Sequence, residues 1–124
     1  MAAGKYNYDQ ENEKNLGKRM NLENKINLKV KWEKSNYSFG IRANVTINGL
    51  NNIDYNSIKY QFTNSKDYLG DNEELYTDGI ITEKNSTVEI VKGEGEYFLH
   101  ILISCKDGEK IEKVSNTSIK VNEI

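Results

Sequence analysis

Gly93-Glu94-Gly95-Glu96-Tyr97-Phe98-Leu99-His100-Ile101-Leu102-Ile103-Ser104-Cys105 is the stretch on which the fold turns. Successive side chains of an extended strand point to opposite faces, so Tyr97, Leu99, Ile101, Ile103 and Cys105 share one face. Five apolar positions in register predict a central strand set against a core. Phe98, His100 and Leu102 fall on the other face, where a sheet looking at water would ordinarily be polar. This strand therefore calls for cover on both sides.

The same alternation recurs on either side of it. Ile26, Leu28, Val30 and Trp32 alternate with Asn27, Lys29, Lys31 and Glu33, and after a turn around Asn36 so do Phe39, Ile41, Ala43, Val45 and Ile47 with their polar neighbours. Asn48-Gly49 offers the positive φ of a tight turn, and Ile58 to Phe62 reads as a third strand. Ile80-Ile81 and Val88 to Ile90 suggest short strands. Asp107-Gly108 marks a hairpin turn into Ile111 to Val114, with a last strand at Ile119 and Val121. Short strands at about ten-residue spacing predict an all-β fold, an antiparallel sandwich of about seven strands. Residues 25–124 form that domain, and the polar residues 1–24 precede it as a leader or marginal helix whose apolar positions are Leu16, Met20 and Leu22.

At 124 residues and a formal charge of −2, the chain has one domain's length and no basic footprint for nucleic acid. No apolar run reaches the ~20 residues that span a bilayer, and Met1-Ala2-Ala3-Gly4 does not open a signal peptide. Direct membrane insertion is not expected. With Cys105 as the one cysteine and His100 as the one histidine, an intrachain disulfide is excluded. The two residues fall on opposite faces of one strand, so they form neither a catalytic dyad nor a zinc shell. No cofactor is expected, and the chain reads as non-enzymatic.

Gly95-Glu96-Tyr97-Phe98-Leu99, after a glycine-rich turn and before a long apolar strand, resembles the sixth strand of immunoglobulin-like (Ig-like) domains in bacterial surface and phage structural proteins. Gly95 and Tyr97 match the glycine and tyrosine of the tyrosine corner. Gly93 stands where an Asp is usual, and Leu99 where antibody domains carry a disulfide cysteine. Ile58-Lys59-Tyr60-Gln61-Phe62 resembles the strand that pairs with it. Over residues 25–121 the resemblance implies an Ig-like structural, spacer or adhesive module at a cell surface or in a phage particle, as part of a longer chain. It also implies that Tyr97 buries its ring and gives its hydroxyl to a carbonyl of the preceding turn.

Three sets of candidate site residues follow. Phe98, His100 and Leu102 are an interface candidate, to be covered by the leader through Leu16 and Met20, or by a protein partner or neighbouring domain. Tyr37, Tyr55, Tyr68 and Tyr76, read as loop residues, could stack on sugar rings, which makes a carbohydrate-binding module the alternative function. Asp67, Asp71, Glu73 and Glu74 crowd one loop and supply the oxygen ligands calcium needs, without the spacing of an EF-hand.

Overall fold

The computed structural model describes residues 24–122. It is all-β, with two antiparallel sheets packed face to face. Strands β1 (Asn27–Glu33), β2 (Gly40–Asn48) and β5 (Asn85–Val91) form the first sheet in the order β1-β2-β5. The second contains β3 (Tyr55–Thr63), β4 (Gly79–Ile80), β6 (Gly95–Cys105) and β7 (Lys110–Val114) in the order β4-β3-β6-β7, and β8 (Ile119–Val121) also pairs with β6. The chain passes from one sheet to the other between β2 and β3, between β4 and β5, and between β5 and β6. Residues 1–23, which hold Leu16, Met20 and Leu22 of the expected leader, lie outside the described residues.

Alternation in the sequence becomes a two-sided sheet wherever one face meets the core. Every second residue of β2 from Ile41 to Ile47 is buried, and Leu28 and Val88 join them from β1 and β5. The second sheet answers with Ile58, Tyr60, Phe62, Tyr97, Leu99, Ile101, Ile103, Cys105 and Ile111. Trp32 reads as core from its register but is half-buried, because β1 is an edge strand. Its ring stands 6.2 Å from that of Phe62 across the sandwich.

β7 and β8 are two halves of one edge. β7 pairs with His100–Ser104 and β8 with Gly95–Tyr97, both antiparallel to β6. Ser115 bridges the break between them: its amide donates to Leu99 O at 2.8 Å, and its Oγ accepts from Leu99 N at 3.0 Å and donates to Thr117 O at 2.7 Å. Trp32 Nε1 donates to Thr117 Oγ1 at 2.9 Å, fastening the break to the opposite sheet. The turn after β2 closes at Gly49 with φ 96°, where a Cβ would lie 2.0 Å from Lys25 O, so only glycine fits.

β1 starts and β8 ends at opposite poles. Asn27 pairs with Asn48 at the pole of the β2–β3 turn, whereas Val121 pairs with Gly95 at the pole of the β1–β2 turn.

Of the contacts expected of Tyr97, the ring burial is present and the hydroxyl bond is not. The Tyr97 ring is buried and its hydroxyl faces the Gly93 turn, yet it makes no hydrogen bond among the described residues. Asn64 Nδ2, donating to Glu96 O at 2.8 Å, ties that part of the chain instead.

Replacing Ser115 with Ala leaves the buried Leu99 amide without an acceptor, which costs about 1–3 kcal/mol. Urea unfolding followed by tryptophan fluorescence is expected to show a lower midpoint at unchanged slope.

Candidate functional site

The outward face of the second sheet is where the sequence left apolar residues over, and the structure puts a piece of the same chain on it. Residues 64–78, between β3 and β4, turn back over the row Phe98, His100, Leu102 and Ser104. In register, this row is flanked by Thr63, Gln61 and Lys59 of β3 on one side and by Val114, Glu112 and Lys110 of β7 on the other. His100 is 1% exposed, Leu102 fully buried and Phe98 half-buried. The expected cover from the leader or a partner is therefore corrected for His100 and Leu102, which residues 64–78 of the same chain bury; only Phe98 keeps accessible surface. β6 is apolar on both faces because it is an interior strand on both faces.

Three ties hold the segment down. At one end, His100 Nε2 lies 2.7 Å from both Ser65 O and Thr63 Oγ1, while Thr63 Oγ1 donates to Ser65 O at 2.9 Å. A carbonyl can only accept, so Nε2 carries a proton that it donates to Ser65 O. Nδ1 is buried and has no hydrogen-bond partner among the described residues. Burial pushes the His100 pKa below its ordinary 6.5, and the bond to Ser65 offsets this in part.

In the middle of the segment, a 3-10 turn at Glu73–Leu75 presents Glu73 to the sheet, capped by Asn72 Oδ1 accepting from Glu74 N at 3.0 Å. Ser104 Oγ donates to Glu73 Oε1, Lys110 Nζ stands 3.1 Å from the same oxygen, and Lys59 Nζ is 3.8 Å from Oε2. The Ser104 bond, then Lys110, hold the Glu73 pKa below the usual carboxylate range. Lys110 Nζ also lies 3.1 Å from Ser104 Oγ, the pairing a serine–lysine hydrolase would use. Here Glu73 Oε1 meets both side chains, so the three together fasten the 3-10 turn to β6 and β7. This arrangement acts as a clamp.

The far end is anchored at Asp78. Its carboxylate accepts from Phe62 N at 2.8 Å and meets Lys92 Nζ at 3.1 Å, so it continues the β3 ladder and binds the β5–β6 connection at once. Gln61 Oε1 accepts from the amides of Thr77 and Asp78 at 2.8 and 3.0 Å. Gly79 follows because the Tyr60 ring occupies the space: a Cβ there would lie 2.5 Å from its hydroxyl oxygen. Burial, with the nearby Asp78 charge, raises the Tyr60 pKa.

The four tyrosines do not converge. Tyr76 is 4% exposed, its hydroxyl donating to Gly70 O at 2.7 Å, and burial with the charges of Glu112 and Asp71 pushes its pKa to about 12. It belongs to the cover over β6 and is corrected from a loop contact to a buried residue. Tyr37 is exposed beside Trp32 and Lys120 at the β1–β2 pole, and half-buried Tyr55 opens β3 at the other pole. Exposed Tyr68 lines a shallow groove between Leu28 of β1 and Val114 of β7. No common sugar platform is formed by these positions.

The calcium candidates also separate. Glu73 is spent on the sheet, and Asp67, Asp71 and Glu74 are exposed. No three carboxylate, histidine or cysteine side chains gather into a metal site among the described residues. Sequence reading missed the partners rather than the segment: Ser104, Lys59 and Lys110 look like ordinary polar-face residues, and only the register brings them under Glu73. Comparison with protein-family models, with curated proteins and with solved structures found no match.

The His100 geometry sets a pH dependence. Because the folded pKa is lowered, the unfolded chain binds the proton more readily, so stability is full above about 6.5 and falls as the pH drops through that value toward the folded pKa. Glu73, with its pKa lowered from 4.5, adds its own loss only at more acid pH. Thermal unfolding from pH 7 to pH 5 is expected to show a falling midpoint in the native chain. In His100→Gln, which retains a donor for Ser65, that fall is expected to be much smaller.

Proposed function

We propose that the chain is a non-enzymatic, Ig-like structural module that spaces or docks components of a bacterial cell-surface or phage assembly. The observation that carries the reading is polar geometry: the clusters that could have formed a reactive centre are used to brace one segment against another. Glu73 with Ser104 and Lys110, Asp78 with Lys92, and Arg42 between Glu33 and Glu89 are all such braces.

Two further features support it. The strand order, β1-β2-β5 against β4-β3-β6 with β7 and β8, has the crossing pattern of an Ig-like sandwich. With β1 starting at one pole and β8 ending at the other, the domain separates what lies before it from what lies after it by the length of its strands. The eleven residues of β6 correspond to roughly 35 Å.

Antibody raised against the purified chain tests the setting. Applied to intact cells of the source organism and to particles from its phage lysate, it is expected to label cell surfaces or particles. Labelling that requires permeabilised cells and is absent from particles would overturn the reading.

A further inference from the structure

The two sheets have four lateral edges, and three of them are guarded. β1 carries Lys29 and Lys31 on its exposed face, and lysines on an edge strand deter pairing with another chain. β4 is two residues long, and the β7–β8 edge is broken at Ser115. β5 differs from all of these. Asn85-Ser86-Thr87-Val88-Glu89-Ile90-Val91 runs unbroken for seven residues with no lysine, arginine or proline, and among the described residues it pairs only with β2. Its one charge is not free to guard it: the Glu89 carboxylate accepts from Ser35 Oγ at 2.8 Å and from Asn36 N, and pairs with Arg42 at 3.7 Å.

The phase of the ladder shows which backbone groups are available. Ile47 N donates to Lys84 O, and Lys92 N to Phe39 O, one beyond each end of the β2–β5 register. In antiparallel pairing bonded and non-bonded pairs alternate, so Ser86, Val88 and Ile90 direct their amides and carbonyls at β2. Asn85, Thr87, Glu89 and Val91 direct theirs outward. In the single chain these groups face solvent, and an added extended strand would pair with all of them.

We propose that the strand is β5 of a second copy of this chain, added antiparallel about a two-fold axis at Val88 to make one continuous six-stranded sheet. The two-fold must pair outward-directed residues with one another, and centring it on Val88 is the register that uses all seven positions. Asn85 then faces Val91 of the second copy and Thr87 faces Glu89, in about eight backbone hydrogen bonds. Val91, 57% exposed in the single chain, gains a neighbour. The two Glu89 side chains stay out of opposition, so no like charges meet across the axis. Pairing β5 with β1 of another copy would instead propagate without closing, and Lys29 and Lys31 guard against it. The inference stands independently of the spacer role, since a closed pair is compatible with many settings.

Seven residues make a small interface, so association is expected to be weak, with the weight-average mass rising over roughly 10 μM to 1 mM in sedimentation equilibrium. Amide exchange by NMR supplies a second readout that needs no variant. The amides of Asn85, Thr87, Glu89 and Val91 should gain protection of tenfold or more across that concentration range, while those of Ser86, Val88 and Ile90 stay protected throughout. Thr87→Pro removes an outward amide donor and leaves the backbone bonds to β2 in place, giving up only the Thr87 Oγ1 bond to Asn44 Oδ1; Thr87→Ala gives up that same side-chain bond while keeping the amide, so a folded T87P chain should remain monomeric where T87A still associates. A native chain monomeric at 1 mM with the four amides unprotected would overturn the proposal. So would a dimer whose new protection lies elsewhere.

Discussion

Everything else in this domain depends on one constraint: β6 is buried on both faces. An ordinary sandwich strand has a core side and a water side, and its polar alternation marks which is which. β6 has Leu99, Ile101 and Ile103 on one side and His100 and Leu102 on the other, all out of solvent. Two sheets cover only one of those sides. The fold therefore contains a third, partial layer, the 64–78 segment, and the placement of polar residues on the outer sheet follows from the need to hold an irregular piece of backbone there.

Holding it is an electrostatic problem as much as an apolar one. A segment with little regular ladder of its own must satisfy its amides and carbonyls through side chains, or leave them wanting partners. Gln61, Thr63 and Asn72 do this for Thr77, Ser65 and Glu74. Glu73 and Asp78 add charge, each set where a lysine can reach it and each also holding a neutral donor, Ser104 Oγ or Phe62 N. A carboxylate that meets an ammonium and a hydrogen-bond donor together is better compensated than one in a bare ion pair. His100 is the point where compensation stops, with Nδ1 buried and without a partner among the described residues.

The sandwich was legible because its signal is periodic and local. Leu28, Ile41 to Ile47, Tyr60 and Leu99 to Cys105 declare their faces by alternation, and Asn48-Gly49 and Asp107-Gly108 declare the turns. The double burial of β6 was legible too, as a surplus of apolar residues on the wrong face. Its cover was not. Tyr76 and Glu73 lie in a stretch with no period, and nothing local distinguishes a tyrosine awaiting a ligand from one folded under its own loop. Ser104 and Lys110 acquire their role from the β6–β7 register and from a contact with Glu73 thirty-one positions from Ser104. Long-range polar pairing of this kind leaves no mark in a single sequence. The uneven guarding of edges, by contrast, could be seen only after the strand order was known.

The separation of the start of β1 from the end of β8 also decides how the domain would carry tension. A pull applied at Asn27 and Val121 runs along the strands, since each is drawn toward the pole at which it lies. β1 would then slide lengthwise against β2, with the bonds of its whole register from Asn27–Asn48 to Glu33–Arg42 sharing the load. Peeling, which breaks bonds one after another, needs a force across the strands that this attachment does not supply. At the other end β8 has only three residues paired to β6, so the weaker grip lies there, with Ser115 next in line. Under load the domain would yield first at its C-terminal edge, exposing the Gly95–Tyr97 margin of β6 while the β1–β2 ladder still holds.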